Sequence, residues 1–141
     1  MNAPPGELFV DTGAWYALAD ESDLHHEQAA RFYPGYLKNY RRLVTTNLVI
    51  AETYTLMRRM LGHRGAVSFA ETIVESPRIK IIYSTREMEE KALEMLKRFT
   101  DQDFSYTDGV SFSIMSDLKI AQAFTFDKHF AVAGFTPIPG L

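Results

Sequence analysis

The chain has 141 residues, with 15 basic and 18 acidic side chains and no cysteine. That length suits one domain with a sizeable core, and the missing cysteine excludes a disulfide framework, a thiolate zinc site and a thiol nucleophile. The net charge of −3 argues against a simple cationic nucleic-acid binder. No uncharged apolar run approaches the ~18 residues of a membrane span. The first Lys or Arg is Arg31, so the basic start of a signal peptide is lacking and the expected compartment is the cytoplasm.

Residues 1–6 read as a loose leader, because Pro4, Pro5 and Gly6 oppose regular structure. Leu8-Phe9-Val10 reads as a buried strand that stops at Asp11. Residues 12–19 read as a helix, with Asp11 or Thr12 placed to cap it. After a polar break at 20–23, helical patterning resumes near Leu24. Pro34-Gly35 is expected to kink or break that helix before a second short piece ends near Tyr40. Residues 43–45 suggest a strand. Asn47 is placed to cap a long helix to Leu61, Gly62 to Gly65 punctuate it, and a further helix spans about 66–75. Residues 79–83 form the clearest strand pattern. Thr85 opens a helix with Met88, Ala92, Leu93, Leu96 and Phe99 on one face. Residues 100–105 are polar, 106–118 helical, 121–126 a strand ending before Asp127, 128–133 a short helix and 135–138 extended. Short strands alternating with helices predict a single α/β domain over 1–141 with a mostly parallel sheet.

Several chemistries are absent from the sequence. It has no GxxxxGK[ST] phosphate loop, no GxGxxG fingerprint, no HExxH and no GxSxG elbow. What remains is acids in particular places. Asp11 and Asp127 each end a strand candidate, and the carboxyl ends of parallel strands face the binding crevice. Asp108 sits in the first turn of one helix and Glu52 in the second turn of another, near N-termini that point toward the same crevice. Glu52 interrupts the apolar run Leu48 to Ala51, and its i−4 and i+4 neighbours are Leu48 and Leu56. It is therefore expected to be the most buried of the four and the most in need of a cation. Four converging carboxylates repel one another, and a hard divalent cation such as Mg²⁺ relieves that conflict. Such a site suits phosphodiester hydrolysis, because the metal activates water and offsets phosphate charge. With those four acids set aside, 14 acids face 15 bases, a balance compatible with a nucleic-acid substrate.

The segments LFVDTGAWYAL, TTNLVIAET, YTDGVSFSIM and AFTFDKHF, in that order, resemble the PIN-domain ribonucleases, and in particular the VapC toxins of bacterial and archaeal toxin–antitoxin pairs. The likeness runs from Leu8 to about Phe135, with the four acids spaced 41, 56 and 19 residues apart. It implies a three-layer α/β/α sandwich, an acidic Mg²⁺ or Mn²⁺ site, cleavage of RNA, a cognate antitoxin partner and a homodimer. The matching acids are Asp11, Glu52, Asp108 and Asp127. Thr12 matches the Ser or Thr that commonly follows the first Asp, and Asn47 the polar residue that opens the helix before the Glu. Some relatives carry a further Asp where this chain has His129.

Smaller candidates carry more ordinary readings beside functional ones. Asp103 reads as a solvated loop acid, with a supporting role at the site as the alternative. His129 reads as a surface or packing residue, with contact to the site as the alternative. Arg59 lies two turns beyond Glu52, and with Arg58, Arg64, Lys38, Arg41 and Arg42 it could edge the crevice and grip phosphates. The apolar patch for a homodimer is expected from Tyr33, Tyr36 and Tyr40, or from Phe69 and Ile73. An RNA-processing nuclease outside any toxin pair, or a binding-only relative without catalysis, are the alternatives to a toxin endoribonuclease.

Overall fold

The computed structural model describes residues 6–140, so the leader expected over 1–6 lies, except for Gly6, outside the described residues. The elements run β1 (Glu7–Val10), α1 (Thr12–Ala19), α2 (His26–Asn39), β2 (Arg42–Thr46), α3 (Asn47–Leu61), α4 (His63–Glu75), β3 (Ile79–Ile82), α5 (Arg86–Arg98), α6 (Tyr106–Leu118), β4 (Gln122–Phe124), α7 (His129–Val132) and β5 (Thr136–Ile138). The five strands form one sheet in the order β3-β2-β1-β4-β5, and every pairing is parallel. The chain steps outward from β1 to β3 and then returns to the far side of β1. Right-handed crossovers place the helices before that return on one face and α5 and α6 on the other. The packing agrees: α1 touches α2 and α3, α3 touches α4, and α5 packs along α6. The result is an α/β sheet flanked by helices, with the direction of winding reversing between β1 and β4.

The central strands are apolar throughout because both faces are covered. Leu8, Phe9, Val10, Leu43, Val44, Ala123 and Phe124 are all fully buried. Phe9 and Phe112 meet Phe130 on the α6 side. On the other side α2 runs down β4: Tyr33 and Tyr36 pack on Phe124, and the Tyr40 hydroxyl donates to Gln122 Oε1 at 2.5 Å.

That packing corrects two expectations. Helix α2 continues through Pro34 rather than breaking. Pro34 withholds one N–H, but Pro34 and Ala30 are exposed, so water can serve the freed Ala30 carbonyl, while Ala29, Tyr33 and Tyr36 hold the other face to the sheet. For the same reason Tyr33, Tyr36 and Tyr40 are core contacts rather than an open patch, as are Phe69 against Trp15 and the buried Ile73. Asn47 is not the cap of α3. The Thr46 hydroxyl accepts from Val49 N–H at 3.1 Å, while Asn47 Oδ1 accepts from Ser84 N–H at 2.8 Å and ties α3 to the β3–α5 loop. Helix α4 starts at His63, not 66, because one glycine suffices for the turn: Gly62 takes φ 91°, open to glycine at little cost. Strand β4 is shorter than 121–126, since pairing gives way after Phe124 to the turn that presents Thr125 and Asp127.

Gly109 sets the distance between α5 and α6. A methyl group there would lie 2.8 Å from Leu96 Cγ. Gly109→Ala gains about 1 kcal/mol of helix propensity but overpacks the contact by about 1–3 kcal/mol. We expect a net fall in melting temperature of a few degrees, relieved when Leu96→Ala is added; calorimetry of the single and double variants checks it.

Candidate active site

The site forms at the carboxyl edge of the sheet, where the winding reverses between β1 and β4. Asp11 directly follows β1, and its N–H donates to Phe124 O at 3.1 Å, so the β1–β4 ladder itself places it. Asp127 lies three residues past β4. Its N–H donates to Thr125 Oγ1 at 3.0 Å, and that hydroxyl donates to Asp11 Oδ2 at 3.1 Å. Asp108 comes from the first turn of α6. Ser105 and Asp108 form a reciprocal cap: each side chain accepts from the other's N–H at 3.0 Å.

His129 enters the same space from α7. Its Nδ1 is 3.1 Å from Asp127 Oδ1 and 3.8 Å from Asp108 Oδ2. The approach to Asp127 is short but misaligned, so this buried nitrogen has no hydrogen-bond partner. Phe104 stands edge-on to the His129 ring at 5.2 Å and fixes its position. Of the ordinary readings of His129 the surface one is corrected and the packing one holds: it is a mostly buried neighbour of two acids, packed on Phe104. Atoms of Asp108, Asp127 and His129 all lie within 4.8 Å of one another. Two carboxylates and an imidazole suit a divalent cation, and the unpartnered His129 nitrogen faces the place it would take. The buried hydroxyls of Thr12 and Ser111 also lack partners.

Burial is ordered differently from the expectation. Asp11 is 7% exposed and Asp108 8%, whereas Glu52 is exposed and stands outside the group of clustered ligand atoms. The buried stripe of α3 is Val49, Thr53 and Met57, and Glu52 lies off it. The polar residue on the stripe is Thr53, whose hydroxyl donates to Val49 O at 2.7 Å. The apolar neighbours that suggested burial instead wall an open cleft of about 520 Å³, lined by Leu48, Leu56, Glu52 and Arg59 together with Thr12 and Thr107. Thr12 and Thr107 adjoin Asp11 and Asp108 in sequence, so this cleft leads to the acids.

Of the remaining candidates, Asp103 is exposed and enters none of the side-chain hydrogen bonds or ion pairs of the described residues. Arg41 and Arg42 do not edge the crevice. They pair with Glu7 at the opposite, amino end of the strands. Thr125 and Phe104 escaped the sequence reading. A hydroxyl residue inside the apolar run before Asp127 was the available signal for Thr125; for Phe104 there was none.

Burial, followed by the charges of Asp108 and Asp127, pushes the Asp11 carboxyl up to about 7, against the Thr12 N–H and Thr125 hydroxyl, which favour the charged form. Asp108 is raised too, first by burial. A folded-state value above the unfolded one means stability is full below pH ~4 and is lost as pH rises toward 7, by on the order of 4 kcal/mol for Asp11 in the metal-free chain. Asp11→Asn lacks this loss. In EDTA, its melting temperature relative to wild type is expected to climb between pH 4 and 8; thermal melts across that range check it.

Residues 8–136 match the PIN domain family. Mycobacterium tuberculosis VapC20, named a 23S rRNA-specific endonuclease, is 36% identical over 131 residues, covering 93% of this chain and 97% of that one. A VapC ribonuclease of Archaeoglobus fulgidus is 33% identical over 125 residues, covering 87% and 78%. The crystal structure of VapC20, described as a sarcin–ricin loop cleaving toxin, matches with a TM-score of 0.85 over 92% of this chain and 96% of that one. VapBC2 of Rickettsia felis, bound to promoter DNA, shares the fold at a TM-score of 0.70 and 12% identity, covering 93% and 96%. With this match along nearly its whole length, the chain belongs to the PIN-domain family and, within it, resembles the VapC ribonucleases.

Proposed function

We propose that this chain is a divalent-metal-dependent endoribonuclease, a single domain acting in the cytoplasm as the toxin of a type II toxin–antitoxin pair. The observation that carries this reading is the convergence of Asp108, Asp127 and His129 within 4.8 Å beside the buried Asp11, in a chain of VapC type. Asp108, Asp127 and His129 would hold Mg²⁺ or Mn²⁺, with Asp11 behind them. Bound there, the metal supplies an activated water and offsets charge on the phosphate. The protein's own contribution is placement. Thr125 and the Thr12 N–H orient the Asp11 carboxylate, the Ser105 cap holds Asp108, and Phe104 holds His129. Glu52 and Arg59 line the cleft through which an RNA strand would approach, where Arg59 would meet phosphate and Glu52 would be the fourth acid of the site.

RNA is the substrate class, and the 23S rRNA loop cut by VapC20 is the first RNA to test. Cleavage of that loop is expected with Mn²⁺ or Mg²⁺ and not with EDTA. Asp127→Asn is expected to lower it at least about a hundredfold, the scale of losing a preorganised charged group. Equal cleavage in all samples rejects the reading. Growth arrest on expression without the neighbouring antitoxin gene separates a toxin from a processing nuclease.

A homodimer belongs to the same proposal. Since the tyrosines of α2 are spent on the core, the exposed Met60 and Leu61 at the end of α3 supply the apolar surface. Light scattering is expected to give twice the chain mass, falling to a monomer in Met60→Glu; a monomeric wild type at micromolar concentration rejects it.

A further inference from the structure

Among the described residues, the large aromatic side chains that stand exposed are Phe32 (38%), Tyr83 (64%) and Tyr106 (46%). Two of the three share one place. Tyr83 directly follows β3, and Tyr106 opens α6, so both lie at the carboxyl edge of the sheet on the α5 side of the acids. Phe32 belongs to the middle of α2, elsewhere.

Tyr106 is also held. Its hydroxyl donates to Glu89 Oε1 at 2.6 Å. The second oxygen of Glu89 accepts from Ser84 Oγ at 3.0 Å, and Ser84 N–H donates to Asn47 Oδ1 at 2.8 Å. The ring is therefore fixed at both ends, by the helix at Cα and by this chain of hydrogen bonds at the para position. An aromatic ring of which nearly half is open to water, yet which cannot swing, has lost its rotamer freedom without completing its burial. That arrangement has little value for a solvated tyrosine. It is what a stacking surface needs, because the ordering cost is met before the partner arrives.

The place relative to the acids follows from helix geometry. Tyr106 and Asp108 are two residues apart, so their side chains leave α6 on nearly opposite sides of its first turn. The ring cannot touch the phosphate that Asp108 faces. It stands across the helix start, within reach of a neighbouring nucleotide of the same strand. Unpaired bases stack on Tyr faces whatever their identity.

We propose that Tyr106, locked by Glu89, is a stacking platform for an unpaired RNA base beside the scissile bond, with Tyr83 next to it on the same edge. This rests on the endoribonuclease reading. It goes beyond it by assigning a nucleobase subsite to the α5 side of the crevice, distinct from the cleft lined by Glu52 and Arg59.

The test uses the whole chain with Mn²⁺. The binding probe is a single-stranded RNA of uridines with 2-aminopurine at alternate positions, which needs no knowledge of the cleavage site. Stacking on Tyr106 quenches its fluorescence. Tyr106→Leu is expected to weaken binding roughly tenfold and abolish the quench. Tyr106→Phe, which keeps the ring and loses the tether, keeps the quench with a much smaller loss. On the RNA hairpin that wild type cleaves, Tyr106→Leu raises KM and leaves kcat within about twofold. Melting curves show whether each variant is folded; if Tyr106→Leu is not, Tyr106→Met, which likewise removes the ring, takes its place. Binding and quenching by Tyr106→Leu equal to wild type, or a loss in Tyr106→Phe as large as in Tyr106→Leu, overturns the platform. If folded wild type neither binds nor cleaves any RNA, the endoribonuclease reading itself fails; a wild type that cleaves, with Tyr106 variants indistinguishable from it, removes the platform alone.

Discussion

Everything at the functional end of this molecule depends on the pairing of β1 with β4. That ladder joins the first strand of the chain to the fourth, more than a hundred residues later, and it ends on the bond from Asp11 N–H to Phe124 O. It brings a buried carboxyl against two others. The apolar packing of Phe9, Phe112, Phe124 and Phe130 is what keeps those acids together against their mutual repulsion. The acids do not assemble the site. The aromatic core does, and the acids ride on the ends of the strands and helices that it joins.

Much of this was legible in the sequence because it depends on local pattern. Strands of fully buried apolar residues that stop at an acid, and a helix opening Ser105-Tyr106-Thr107-Asp108, announce themselves. Glu52 shows where pattern fails. Four apolar residues before an acid look alike whether they face the core or wall a cleft. The difference lies in the helical phase of Val49, Thr53 and Met57, which only the packing partner reveals. His129 stayed open between readings for another reason. A histidine two residues past Asp127 is ordinary in sequence, and its burial comes from Phe104, a residue twenty-five positions away whose loop reads as polar. Pro34 was overrated because a local rule met a helix already held along its length by Phe124.

The two sides of the crevice differ in character. Toward α3 the surface offers a carboxylate, a guanidinium and threonines. Toward α5 it offers aromatic rings and the Glu89 bridge. One side suits the sugar–phosphate chain and the other suits bases, so a strand lying across the acids would be read asymmetrically, with its polarity fixed by the protein rather than by its own sequence.

The hydroxyl of Thr125 has a single hydrogen, and the charge on Asp11 decides where it goes. While Asp11 is ionised it has no hydrogen to give, so Thr125 donates to Asp11 Oδ2 and its oxygen accepts from Asp127 N–H. In that state Oδ2 is the oxygen that Thr125 engages, and Oδ1 is not. The two oxygens of one carboxylate are thereby made inequivalent: one is held by the hydroxyl, and the other is left to other partners. A valine at 125 would fill the same volume and erase that distinction, so one hydroxyl couples the Asp127 backbone to the acid at the end of β1.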